Sequence, residues 1–256
     1  LPSLYTEIIE EVNSPGSSIA RVGEIISKDV GMSAKILQLV NSSFFGLPTH
    51  VSNPARAVAL IGLETVKALV LTVKIFSQFS RSDLPGYSTI ANLWDHSVAT
   101  GFLAKDIAAS LSQGQTEIDD SFLAGLVHDL GKLILLDKLP EACDEIAKLA
   151  SSTGCLPVEA EQRVLGTTHA QVGAYLLGIW GFSDSIVDGV AFHHRPDECS
   201  NNGLSTLTAV HLANGLEHRN NHLNINEAAR FDLEYLSRPG IRDRIGELQL
   251  EVNIGV

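Results

Sequence analysis

Apolar residues recur at helical spacing along nearly the whole of this chain, and no stretch alternates apolar with polar in the way of a strand bounded by hairpin turns. That pattern predicts an all-α, multi-helix fold. Leu4, Ile8, Ile9 and Val12 mark a helix over 1–12. Ile19, Val22, Ile25 and Ile26 mark another over 19–28, with Ser18 placed to cap it. A third helix over 32–41 ends in the turn NSSFFGLP. The segment 52–79 reads as a short helix, a break at Gly62, and a long helix whose middle, 68–73, is apolar enough to be buried on most faces. Further helices are expected over 90–112, 119–136, 140–153, 183–194 and 203–219, and over 157–180 as one long helix or two parted near Gly166. The tail from 220 is polar and mixed, with short helices at best. The stretch RSDLPGYS (81–88) is the internal boundary, dividing the chain into an N-terminal helical part (1–85), a second helical part (86–219) and a C-terminal extension (220–256).

Composition narrows what such a helical body can do. With 256 residues, 45% hydrophobic and 19% charged, the chain has ample apolar material for a core. A formal charge of −12 opposes binding to phosphate polymers, so no nucleic-acid polymer is expected as a partner. A local basic pocket for a small anion is still compatible with it. Cys143, Cys155 and Cys199 are scattered and lack a CxxC pair, which predicts neither a disulfide framework nor a thiolate zinc site and suits a reducing cytoplasm. No signal peptide and no membrane-spanning apolar run is read. The chain begins at Leu1 rather than Met, so it is expected to be a piece of something longer.

The chemistry concentrates in histidines. SFLAGLVHDLGKLILL (121–136) sets His128 and Asp129 inside a strongly apolar helix. Burying an imidazole and a carboxylate there is costly unless they are paired or bind a cation. Both are good ligands for zinc, iron or manganese. Lys132, one turn on, suits a substrate phosphate, or an ordinary helical ion pair with Asp129. His96 lies on a helix that buries Val98, Phe102 and Leu103. His169 opens a helix that Thr167 or Thr168 can cap, and His193 and His194 end one at AFHHRP. His211 and Asn214 share a helix three residues apart. Any one of these could be a hydrogen-bonded core residue or, for His193 and His194, an exposed helix end. The set as a whole points to a metal site. His50, His218 and His222 read as polar-loop residues without a role. Phe44, Phe45 and Leu47 read as an exposed patch for a partner or a plug for the local core.

The segments HS (96–97), HDLGK (128–132), THAQVG and HHRP together resemble the HD superfamily of metal-dependent phosphohydrolases. The first half, through SNPARAVALIGLETVKALVL, is similar to the N-terminal helical region of the HDOD branch, which is related to the HD-GYP cyclic-dinucleotide phosphodiesterases. The resemblance covers about residues 1–216. It implies that His96, His128 and Asp129 are direct metal ligands, that His169, His193 and His194 serve a second metal, and that Lys132 lies near a substrate phosphate. The closing aspartate of the superfamily pattern falls at Asn214, a neutral amide that weakens attraction for a divalent ion, with His211 one turn earlier as a candidate to compensate. The GYP segment is not evident after HHRP.

Three readings follow from that resemblance. HDOD proteins look like signalling or regulatory modules, which predicts a metal-holding module without efficient catalysis that binds a signalling protein or a nucleotide. The alternative is a metal-dependent phosphohydrolase acting on a nucleotide or cyclic dinucleotide. There, one or two ions (Fe, Mn or Zn) would activate water, Asp129 would bridge ions or orient the water, and Lys132 and Arg195 would neutralise developing charge. The third holds no metal, with the histidines bonded internally around ordered water.

Overall fold

A computed structural model describes residues 3–14, 16–43, 45–79, 90–111, 114–200, 203–220 and 231–247. They are helical with connecting turns, and no strand occurs among them. No helix among them is long and apolar enough to cross a membrane. The chain divides into two compact units, Leu1–Ser80 and Arg81–Val256. The expected boundary segment 81–88 lies outside the described residues.

The first unit holds α1 (Ser3–Val12), α2 (Ile19–Ser27), α3 (Val30–Val40), α4 (Pro54–Ile61) and α5 (Leu63–Gln78). Its starts are set by side chains that accept otherwise unpaired backbone N–H groups. Ser18 accepts from Arg21 N at 3.2 Å and Asp29 from Met32 N at 2.9 Å, while Asn53 accepts from Ala55 N at 2.8 Å and is followed by Pro54. The core is apolar side chains at helical spacing, with Ile8, Val22, Ile26, Ile36 and Leu69 fully buried. Residues 68–73 of α5 are all buried, as their apolar run predicts. Phe45 and Leu47 are half-buried, and Phe44 lies outside the described residues.

The second unit holds α6 (Ile90–Ser110), α7 (Gln115–Val127), α8 (Leu130–Lys138), α9 (Pro140–Thr153), α10 (Pro157–Leu165), α11 (His169–Ile179), α12 (Asp184–Ala191), a 3-10 turn (Pro196–Glu198), α13 (Thr206–Asn220), α14 (Leu233–Leu236) and α15 (Pro239–Glu247). Helix α6 packs on α7 and α13, α12 on α7, α11 and α13, and α11 on α8. Two close approaches bring the histidine-bearing helices together. Gly125 of α7 faces Gly101 of α6, where an added Cβ would lie 2.8 Å from the Gly101 Cα. Gly131 of α8 lies under the start of α11, where an added Cβ would lie 1.9 Å from the His169 carbonyl oxygen.

One expectation changes here. The single helix over 119–136 is two, because α7 ends at Val127 and α8 begins at Leu130. His128 and Asp129 therefore occupy a break, with Asp129 at φ −96° and ψ 11°. Of the two forms expected for 157–180, the chain takes the pair of helices, parted at Gly166, whose φ of 70° suits glycine best. Beyond position 220, α14 joins the second unit through a 2.6 Å hydrogen bond between Tyr235 Oη and Thr208 Oγ1.

Candidate metal centre

The break between α7 and α8 explains how neighbours in sequence can serve one site. Adjacent residues of an unbroken helix diverge by about 100°. Here the backbone turns between them, and both side chains enter the same buried space, His128 at 0% and Asp129 at 1% exposure. Asp129 Oδ2 lies 3.5 Å from His128 Nε2 and 3.6 Å from His96 Nε2. Its Oδ1 lies 3.1 Å from His169 Nε2 and 3.9 Å from His193 Nε2. His194 Nε2 is 3.1 Å from His169 Nε2, and His96 Nε2 is 3.1 Å from His128 Nε2.

The rings reach these positions with their other nitrogen already committed. His128 Nδ1 donates to the Gly125 carbonyl at 2.8 Å, and His193 Nδ1 to the Val190 carbonyl at 2.7 Å. His169 Nδ1 donates to Glu161, whose oxygens lie at 2.8 and 2.7 Å. His96 Nδ1 meets Glu217. A neutral imidazole has one N–H and one lone pair. With Nδ1 carrying the proton, a neutral ring at His96, His128 or His193 turns its Nε2 lone pair towards a carboxylate that also has only lone pairs to offer. Lone pairs crowded face to face repel unless a positive charge stands among them.

The donors fall into two groups that share Asp129. One is Asp129, His169, His193 and His194; the other is His96, His128 and Asp129, with the ligand atoms of each group within 4.8 Å of one another. Among the described residues, Asp129 Oδ1, His193 Nε2 and Asn214 Oδ1 are buried without a hydrogen-bond partner of good geometry. Orphaned acceptors of this kind, facing other lone pairs, fit a divalent cation.

Electrostatics demand positive charge at the same place. Burial pushes His128 down to about 3, the opposing pull of Asp129 notwithstanding. Burial, followed by neighbouring histidines, also holds His193 and His194 well below the ordinary imidazole range. Burial would raise Asp129, but His128, Lys132 and His169 hold it well below the usual carboxylate range. Burial would lower His169, but Glu161 outweighs it and moves this ring upward. The carboxylate is thus ionised, and the rings at His128, His193 and His194 resist protonation.

The other expected residues take distinct places. Lys132 Nζ bonds Asp129 Oδ2 at 2.7 Å, with 17% of its side chain exposed. Arg195 is 40% exposed and pairs with Glu198 on the 3-10 turn at 3.3 Å. Asn214 is 1% exposed on α13, on the face between His211 and Glu217. His211 is turned away from ligand duty: its Nδ1 donates to the His193 carbonyl at 2.8 Å and its Nε2 accepts from Asp232 N at 3.0 Å. It supports His193 and does not make good the amide at 214. His218, read as a loop residue, belongs to α13 and is half-buried, its ring centroid 4.5 Å from that of His96. His222 lies outside the described residues. Glu161 and Glu217, exposed by 0% and 3%, escaped the sequence reading altogether.

Comparison with known proteins places this centre in a family. The HDOD domain pattern matches residues 1–196. An uncharacterized protein of Treponema pallidum (strain Nichols) is 25% identical over 214 residues, which is 84% of this chain and 41% of that protein. The chain thus spans about two fifths of that relative's length. An HDOD domain protein of Geobacter sulfurreducens superposes with a TM-score of 0.77 at 23% identity, covering 96% of this chain and 83% of that one. A candidate phosphohydrolase of Shewanella amazonensis SB2B gives 0.71 at 22% identity, covering 96% and 84%. At those identities the two structures bear on the fold alone. A buried His/Asp centre at a helix break, on an all-α body matched over most of its length, makes this chain a member of the HDOD domain family.

Proposed function

We propose that the chain is a regulatory module that holds a divalent metal at the Asp129 centre and does not turn over substrate efficiently. The observation that carries this reading is the pair of orphaned acceptors, Asp129 Oδ1 and His193 Nε2, buried 3.9 Å apart. His96, His128, Asp129, His169, His193 and His194 would hold the metal, with Asn214 beside them. Iron, manganese and zinc all suit this nitrogen-rich, sulfur-free set, as one ion or two. Such an ion would be able to lower the pKa of bound water and to polarise a phosphoryl oxygen. Two features argue against efficient turnover here. Asn214 offers an amide where the family resemblance implies a carboxylate, and the cationic groups suited to a phosphate are engaged, Lys132 with Asp129 and Arg195 with Glu198. The module's output would pass to a signalling protein or a bound nucleotide.

A second reading, a phosphohydrolase acting on a nucleotide or cyclic dinucleotide, is favoured by one observation. Lys132 and His194 are the partly exposed members of the centre, so an ammonium is open to solvent 2.7 Å from Asp129 Oδ2. Elemental analysis of freshly purified protein, followed by assays on cyclic dinucleotides and nucleotides with added manganese or iron, separates the readings. Bound metal without turnover is the expected result. Turnover that vanishes in Asp129→Ala would replace the first reading with the second. Absence of metal, with no uptake of manganese, iron or zinc, would overturn both.

A further inference from the structure

Two buried carboxylates stand behind opposite ends of the histidine centre. Glu161 of α10 accepts from His169 Nδ1 with both oxygens and from the His169 backbone N–H at 2.8 Å. Glu217 of α13 meets His96 Nδ1. Their two histidines flank opposite oxygens of Asp129, His169 at Oδ1 and His96 at Oδ2.

A buried carboxylate costs several kcal/mol of desolvation before its partner repays it. Fixing an imidazole proton does not require that cost, since the Gly125 and Val190 carbonyls do the same for His128 and His193. What the carboxylates add is full negative charge aimed along the ring. That charge makes the far nitrogen more basic, and a carboxylate, which only accepts, admits only the Nδ1–H tautomer. Glu217 also groups with His96 and His218, all three ligand atoms within 4.8 Å. A neutral His96 whose Nε2 lone pair faces Asp129 carries its proton on Nδ1, however, so that nitrogen has no lone pair for another ion.

We infer that Glu161 and Glu217 are positioning residues of the centre, which lock the tautomers of His169 and His96 and through them set its affinity for a divalent metal. The inference rests on the reading of the Asp129 cluster as a metal site. Because Glu161 also caps the start of α11, a purely structural role has to be told apart from this one.

The test uses Glu161→Gln and Glu217→Gln, which keep side-chain size and one accepting oxygen but lose the charge. Chelator-stripped wild type and variants are titrated with Mn²⁺ and Zn²⁺ by calorimetry, and their metal-free unfolding midpoints are recorded. Each variant is expected to weaken Kd about 10–100-fold with a metal-free midpoint near that of wild type. A Gln can accept or donate, so imidazole ¹⁵N spectra of Glu161→Gln should show His169 as a mixture of tautomers. Variants that bind within about twofold of wild type while unfolding more easily would reduce the two carboxylates to structural supports. The wild-type ¹⁵N spectrum alone is a check that needs no variant: a neutral ring at His169 or His96 with its one proton on Nε2 would overturn the proposal. Wild type that takes up neither metal would defeat the metal reading itself, a different result from wild type that binds and variants that bind equally well.

Discussion

At the scale of single residues, Asn214 is the most informative position. It is buried on the α13 face that also carries His211 and Glu217, and its Oδ1 has no hydrogen-bond partner among the described residues. Asn214→Asp would set a second carboxylate among the imidazoles. Without metal that charge is buried and uncompensated, so the metal-free midpoint should fall. With a divalent ion it becomes a further ligand, and affinity should rise about tenfold, equivalent to about 1.4 kcal/mol. Calorimetric titration and thermal unfolding in chelator measure the two halves of this prediction, and weaker binding in the variant would contradict it. The same helix shows what the sequence conceals. His128 and Asp129 were legible because a polar pair in SFLAGLVHDLGKLILL breaks an apolar run. Glu161 and Glu217 were not, because in EQRVLG and NGLEHRN a carboxylate that turns inward reads the same as one that meets water. A signal was present for α13: His211, Asn214 and the adjacent pair Glu217 and His218 fall three or four residues apart, one polar stripe on one face.

At the scale of elements, the helices were legible from their period and caps, and the joints were not. Nothing in the run 119–136 announces a stop at 128–129, since its two glycines, Gly125 and Gly131, are each isolated among strong helix formers and a single glycine is tolerated in a helix. The reason for the break is tertiary. Turning the chain at 128–129 lets α8 leave α7 and pass beneath the start of α11, and it turns His128 and Asp129 into one cavity. Gly131 is the residue that permits the approach. Gly131→Ala would drive a Cβ to 1.9 Å from the His169 carbonyl oxygen, backbone against backbone, and neither can yield without moving a helix. The expected result is a loss of about 1–3 kcal/mol in stability, together with weakened metal binding as His169 is pushed off Asp129. Gly178, exposed on the same α11 with nothing within 4 Å of an added Cβ, is the control. Gly178→Ala should stabilise by about 0.5–1 kcal/mol through helix propensity and leave metal affinity unchanged. Urea unfolding and metal titration of the two variants read both effects, and equal behaviour of the two would remove the steric account of the α8–α11 joint.

At the scale of the whole molecule, the two compact units differ in what they hold. Every candidate ligand lies in the second, and so do both tryptophans, Trp94 in α6 and Trp180 at the end of α11. Tryptophan fluorescence is therefore a built-in reporter on the unit that carries the centre, silent for residues 1–80. A ligand that binds the folded state but not the unfolded one adds RT ln(1 + [L]/Kd) to stability, about 2.7 kcal/mol at a free concentration of 100 Kd. A metal held at this centre would tie together α6, the α7–α8 break, α11 and residues 193–194 just past α12, segments far apart in sequence, and so would oppose unfolding of this unit. Stripping the protein with a chelator should lower its tryptophan-detected unfolding midpoint, and re-adding manganese, iron or zinc should restore it in a concentration-dependent way. The surplus of 30 acidic over 18 basic residues draws divalent cations to the surface as a whole, so the test needs a discriminating arm. Magnesium at the same ionic strength supplies the same surface charge screening but prefers oxygen ligands and keeps its water. It should restore little. A midpoint that responds equally to magnesium and manganese, or that ignores chelator and metal alike, would count against a specific nitrogen-rich centre in this unit.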